Sequence, residues 1–357
     1  MHTYFYSFLL SLFVIFNVCS QDIETTVDSI ANPFLEINDG PYVFIENAEL
    51  IEKTIVKGEI LTRHLAANTY DTLFKPEETV FTDVKHIVAL SDIHGQYDLA
   101  IELLQKNQII DENLAWNFGQ NHLVIVGDVF DRGEKVNELL WFIYKLEQQA
   151  KTQGGRVHFL LGNHEYMVLH NDLRYIHKKY RMTSALLEMG YVSFYDNNTV
   201  IGRWLRSKPT LVKINNTVFV HGGISEAFLS HNEFEIEKIN EIMRASIDVS
   251  KAGLKSTDFY SIYYGSDSLI WYRGYFDDNL SNAAISDILK QINSEHIVVG
   301  HCSNEEVVQL YDEKIYGVDS SIKYGKYGEL LFIKKNKAFR LTLEGKKKRF
   351  RKATTSK

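Results

Sequence analysis

Three short motifs hold the side chains with the greatest capacity for chemistry: Asp92-Ile93-His94-Gly95, Gly127-Asp128-Val129-Phe130-Asp131-Arg132-Gly133 and Gly162-Asn163-His164-Glu165. Asp92, Asp128 and Asn163 are separated by about 35 residues each, the length of a strand–helix–strand unit. Two later segments, His221-Gly222-Gly223 and Gly300-His301, add further imidazoles. Carboxylates, imidazoles and one carboxamide make a donor set for a pair of divalent ions. The mixture of nitrogen and oxygen suits Mn, Fe, Zn or Ni, whereas Ca and Mg favour oxygen alone. Two ions about 3.5–4 Å apart lower the pKa of a bridging water and clamp the oxygens of an in-line displacement.

Something must bring these motifs together, and the sequence shows what. Each follows an apolar run: His86–Leu90, Leu123–Val126, Val157–Leu161, Val218–Val220 and Ile297–Val299. The polar residues therefore stand where buried strands end, the place at which open α/β sheets bind ligands. The ordinary alternatives are weaker. A single Asp-x-His pair is common on protein surfaces, and His221 or His301 alone could be a satisfied core histidine. Their glycine neighbours and post-strand positions favour ligation. For Arg273 the alternative is a plain salt bridge in an aromatic loop.

From Val84 to Ser320 the order of the motifs resembles that of the metallophosphoesterases of the phosphoprotein phosphatase superfamily, whose signatures read GDxHG, GDxxDRG, GNHE, HGG and a final GH. Ser91 stands where the first signature usually has glycine. With the segment Trp271-Tyr272-Arg273-Gly274, this is similar to the bacterial Shewanella-like branch. Many cousins end in GHxH, whereas here the run is Gly300-His301-Cys302-Ser303. The resemblance implies an α/β calcineurin-like fold, a β-sandwich flanked by helices. It assigns Asp92 and His94 to one ion, Asn163, His221 and His301 to the other, and Asp128 to both. A hydroxide between the ions would attack phosphorus in line. Arg132 and Arg273 would grip the phosphoryl group through guanidinium forks. His164 would protonate the leaving oxygen, oriented by Asp131. The expected substrate is a phosphorylated protein or small phosphomonoester. Two other functions fit parts of the pattern: a dinucleoside polyphosphate hydrolase, which shares the first three signatures, and a non-catalytic metal-binding scaffold. Against the scaffold, no ligand or acid position is substituted.

With 357 residues, 45% of them hydrophobic, the chain can build one large catalytic domain, placed at 84–343. A net charge of −7 argues against a nucleic-acid partner. Within the extension 21–83, the stretch from Gly40 to Ala66 reads as short strands turning at Asn47 and Lys57-Gly58, a β decoration expected to pack on the sheet. Helical periodicity covers Gln96–Lys106, Lys135–Gln149 and Asn171–Met189. The last belongs to an expected cap, 171–206, in which Arg174, Tyr175, Lys178, Lys179 and Tyr180 would join Trp271-Tyr272 in an aromatic and cationic wall. Such a wall favours phosphotyrosine over phosphoserine. Late strands at Lys314–Val318, Glu329–Ile333 and Ala338–Leu343 are expected to complete a second sheet.

The ends are different material. Tyr4 to Val18 is almost wholly apolar and too short for a span, and Val18-Cys19-Ser20 fits a signal-peptidase site. Residues 1–20 are expected to be removed on export to a periplasmic or secreted location. A lipoprotein is disfavoured by the poor lipobox Phe16-Asn17-Val18. The processed chain would keep no transmembrane span and one cysteine, Cys302, so no intramolecular disulfide. Residues 344–357 form a basic tail, read as a solvated terminus.

Overall fold

The computed structural model describes residues 36–277, 280–335 and 337–350. The expected signal peptide, the first part of the extension and the end of the basic tail lie outside the described residues. Two six-stranded sheets face each other. The first orders its strands as Lys347–Lys348, Lys337–Thr342, Glu329–Lys334, His86–Leu90, His122–Ile125 and Arg156–Phe159. The second runs Val308–Leu310, Ile315–Gly317, His296–Val299, Thr217–Val220, Leu211–Ile214 and Val80–Phe81.

The apolar runs are continuous because both faces of these strands are buried. In His86–Leu90, Ile87 and Ala89 point between the sheets, in one cluster with Val124, Phe219 and Val298. Val88 and Leu90 point outward, into the cluster that holds the helices Tyr97–Lys106 and Val136–Thr152. This alternation is the two-residue period of a strand applied to two cores at once. Strands His86–Leu90, His122–Ile125 and Arg156–Phe159 are parallel, as are Thr217–Val220, His296–Val299 and Ile315–Gly317. Their C-terminal ends deliver all five motifs to one rim.

Four expectations change. Glu329–Lys334 and Lys337–Thr342 belong to the first sheet, not the second. Leu331 pairs antiparallel with Ala89, covering an edge of the buried strand that would otherwise be open. Of the three late strands, only Ile315–Gly317 lies in the second sheet. The strands Asp39–Glu46, Glu49–Val56 and Glu59–Leu65 form the expected decoration, with turns at Asn47 and at Lys57-Gly58. Their hydrogen bonds, however, run to helical elements: Asn137 Nδ2 and Trp141 Nε1 both donate to the Pro41 carbonyl, at 3.2 and 2.8 Å. The third helix covers only Lys178–Leu187. Asn171 takes a left-handed conformation (φ 58°), and His177 caps the helix by accepting from the Lys179 amide.

That late start divides the expected wall. Tyr180 is buried, and its hydroxyl donates to the Glu134 carbonyl and accepts from the Val136 amide. Lys179 is tied to Asp39 and Glu138 at 3.1 and 3.3 Å. Both residues anchor the cap, and only the preceding loop reaches the rim. In the tail, Lys347–Lys348 pair with Arg340 and Leu341, so that part is a short strand and not a free end.

Candidate bimetal active site

The rim is made of tight turns between strand and helix, and its residues carry the signs of that constraint. Asp92, His94, Asp128, Asp131, Arg132 and His301 all have φ between 47° and 71°. This left-handed region is uncommon for residues with a Cβ, and such conformations concentrate at functional sites. Glycine is required where the turns touch. A Cβ on Gly127 would come 2.7 Å from His221 Nδ1, and one on Gly300 would come 2.7 Å from Asp92 Oδ2.

Six candidate ligands converge. His221 Nε2 lies 3.2 Å from Asp128 Oδ2 and 2.8 Å from Asn163 Oδ1. His94 Nε2 lies 3.7 Å from Asp128 Oδ2 and 3.9 Å from Asp92 Oδ1. Two groups have the spacing of a metal site, His94–Asp128–His164 and Asp128–His221–His301. Asp128 is common to both. Backbone carbonyls set the imidazole tautomers: His94 Nδ1 donates to Phe130 at 2.6 Å and His221 Nδ1 to Val126 at 2.7 Å. Each ring therefore turns its Nε2 to the centre.

Two of the converging nitrogens test whether metal fits. His94 Nε2 and His301 Nε2 are buried and have no hydrogen-bond partner. Orphaned buried polar atoms are costly and rare in native proteins, and divalent ions would satisfy both. The electrostatics agree. Burial, Asp319 and Asp128 push the Asp92 carboxyl up to about 8, against the pull of His221 and the Ser91 hydroxyl. Burial and His221 hold His301 well below the usual imidazole range. Desolvation of His221 is outweighed by Asp128 and Asp92, which lift it to about 10. So crowded a set of carboxylates and imidazoles wants cations. Bound there, divalent ions supply phosphoryl charge neutralisation and acidify water.

The remaining residues surround this centre. His164 Nδ1 stands 2.5 Å from Asp131 Oδ2, and its Nε2 points toward Asp128 at 3.8 Å. Burial disfavours its protonation, but Asp128 and Asp131 prevail and raise its pKa. Both carboxylates thus favour the protonated ring at the edge of the centre. Arg132 and Arg273 are both exposed at the mouth. The positive charge of Arg132 opposes protonation of His94 and His164, and that of Arg273 does the same for His301.

Sequence reasoning gave no role to several residues that shape this site. Glu165 is fully buried and accepts from the amides of Asp128, Val129, Phe130 and Gly162 at 2.7–3.1 Å, stitching the second motif to the third. Its place within the third motif was the available signal. Ser91, noted only as a departure, donates to Asp92 Oδ2 at 2.6 Å, and the His301 amide donates to the same oxygen at 2.8 Å. Both bonds fix that carboxylate and leave Oδ1 for the centre. Two residues of the expected wall do reach the site. Tyr175, from the loop before the cap helix, sets its ring 5.4 Å from His164 and beneath the Arg132 guanidinium at 5.6 Å. Trp271 meets His301 edge-on at 5.5 Å.

The calcineurin-like phosphoesterase pattern matches residues 85–319. The chain belongs to that family and is a metal-dependent phosphatase. Within it, the relatives are specific. Shewanella-like protein phosphatase 1 of Plasmodium berghei is 29% identical over 286 residues, covering 73% of this chain and 76% of the relative. Shewanella-like protein phosphatase 2 of Arabidopsis thaliana is 24% identical over 295 residues, covering 70% and 74%. The solved cold-active protein-tyrosine phosphatase of a psychrophilic Shewanella species superposes with a TM-score of 0.84 at 40% identity, covering 88% of this chain and 99% of that one.

Proposed function

We propose that the chain is a protein phosphatase that prefers phosphotyrosine to phosphoserine and phosphothreonine. The observation that carries this is the pair of aromatic rings beside the centre, Tyr175 against His164 and Trp271 against His301. Tyr175 is 44% exposed, so its ring is open to an incoming leaving group. A planar phenolate gains roughly 0.5–1.5 kcal/mol from one well-placed aromatic pair, which limits discrimination to about tenfold. The tyrosine phosphatase activity of the Shewanella relative supports the same reading.

The residues divide the work. Asp92 and His94 would hold one ion, Asn163, His221 and His301 the other, and Asp128 would belong to both sets. The mixed nitrogen and oxygen donors would suit transition metals from the group Mn, Fe, Zn and Ni. Arg132 and Arg273 grip the phosphoryl oxygens, and His164, held by Asp131, gives its proton to the leaving oxygen. Phosphotyrosine peptides should show the higher kcat/KM, and Tyr175→Ala should lower the phosphotyrosine-to-phosphoserine ratio by up to about tenfold. A higher kcat/KM on phosphoserine peptides would end the aromatic-wall reading.

We also propose that residues 1–20 direct export and are then removed. The apolar run before Val18-Cys19-Ser20 supports this. Among the described residues no helix is long and apolar enough to cross a membrane. N-terminal sequencing of the protein from its native host should begin at Gln21. An intact Met1 in the cytosolic fraction would contradict export.

A further inference from the structure

Beside the proposed metal centre lies a cavity of about 190 Å³ whose charged lining has no part in the proposed catalysis. Asn163 and Trp271 line its inner end, next to the ligands, and Arg174 and Lys251 line its outer part. The two cations come from segments far apart in sequence and share a single carboxylate. Asp172 takes Arg174 in a fork, Nε to Oδ1 at 2.8 Å and Nη2 to Oδ2 at 3.0 Å, while Lys251 Nζ stands 3.3 Å from the same Oδ2. One carboxylate between two cations leaves a net positive charge. The Asp172 side chain is only 12% exposed, against 65% for Arg174 and 43% for Lys251, so the cations face the solvent and the carboxylate stands behind them. Lys255, over the Tyr260 ring at 4.9 Å, adds a third positive charge at this edge.

We propose that this cavity is a specificity subsite for an acidic residue of the substrate, an Asp or Glu near the phosphotyrosine. The inference rests on the protein-phosphatase reading above and deepens it. Asp172 pre-arranges Arg174 and Lys251 so that a second carboxylate can meet two cations already held in place. The reach is right for a neighbouring residue. The helix Asn163–Leu169, about 9 Å long at 1.5 Å per residue, leads from the metal ligand to the loop that carries Asp172 and Arg174. An extended peptide covers that span in about three residues. A basic residue in the same place would face like charge.

The test walks a single glutamate through about four positions on either side of phosphotyrosine in a model peptide, with glutamine as the matched control. At one or two adjacent positions the wild-type protein should show a Glu-to-Gln ratio of kcat/KM of about two- to fivefold, the range of exposed ion pairs. The ratio should fall toward one in about 0.5 M NaCl, where the screening length is only a few ångströms. It should also fall toward one in Lys251→Glu, which leaves Arg174 and Lys255 balanced by two carboxylates. Because only ratios are read, any loss common to both peptides cancels, and the salt series stands even if the variant folds badly. A wild-type ratio near one at every position, or a preference untouched by salt and by Lys251→Glu, would overturn the subsite and leave the phosphatase reading intact. Hydrolysis of p-nitrophenyl phosphate without hydrolysis of any phosphopeptide would instead remove the protein-phosphatase reading, and the subsite with it.

Discussion

Opposite ends of the same strands bury the same kinds of side chain to different purpose. At the C-terminal rim, Asp92, His94, Asp128, His221 and His301 crowd together, and the Nε2 atoms of His94 and His301 have no partner. Toward the other end, His158 Nε2 meets His122 Nδ1 at 2.9 Å, with the Phe81 ring edge-on to both imidazoles. Nearby, Lys208 reaches Glu77 at 2.5 Å and Glu147 at 2.7 Å, and lies over the Trp204 ring, whose Nε1 also donates to Glu147. No buried polar atom of His122, His158, Glu147 or Lys208 lacks a partner. Burial of a histidine or a carboxylate therefore says little by itself. What separates a binding centre from a structural network is whether the protein satisfies its own polar atoms. One end is closed, and the other is left to be completed by something else.

Variants at the two ends should fail in different ways. At the rim, His164→Ala should lower kcat/KM on alkyl phosphates by about 10²–10⁴-fold. It should spare p-nitrophenyl phosphate far more, because a nitrophenolate leaves without a proton. Equal losses on both would show that His164 serves metal or phosphate binding and not proton donation. At the other end, Lys208→Met strips the buried Glu147 of its cation and should cost about 3–5 kcal/mol in denaturant unfolding, the range for breaking a buried pair. Its metal content should stay that of the wild type. Loss of metal there would dissolve the distinction between the two ends. The smallest effect belongs to Ser91→Ala, which removes one of the two bonds fixing Asp92. A fall in metal affinity of about tenfold is expected, at the low end for a residue that supports a ligand. Calorimetric metal titration would detect it, and unchanged affinity would make Ser91 only a spacer against Gly300.

The rim was legible in the sequence because its signals are local. A strand ending in an aspartate, a glycine that lets the turn close and a ligand three or fewer residues away all lie within one short motif. The closed network was not legible, since its partners are distant: Lys208 stands 61 positions from Glu147 and 131 from Glu77. Strand pairing failed for the same reason. Nothing within Glu329–Lys334 indicates that its neighbour will be His86–Leu90. The cap shows the limit at finer grain. Tyr175 and Tyr180 are five positions apart, and composition alone gave them one role. A left-handed Asn171 and the His177 cap delay the helix, so that Tyr175 faces the centre while Tyr180 is buried under it.

In the proposed site Asp128 joins the two metal positions into one, and this role can be tested without measuring catalysis. Metal-free wild-type protein titrated with Mn²⁺ in a calorimeter should take up two ions per chain. Asp128→Asn should weaken both binding events together, because the same Oδ2 approaches His94 on one side and His221 on the other. Two ions bound by the variant with wild-type affinities would contradict a shared bimetal centre.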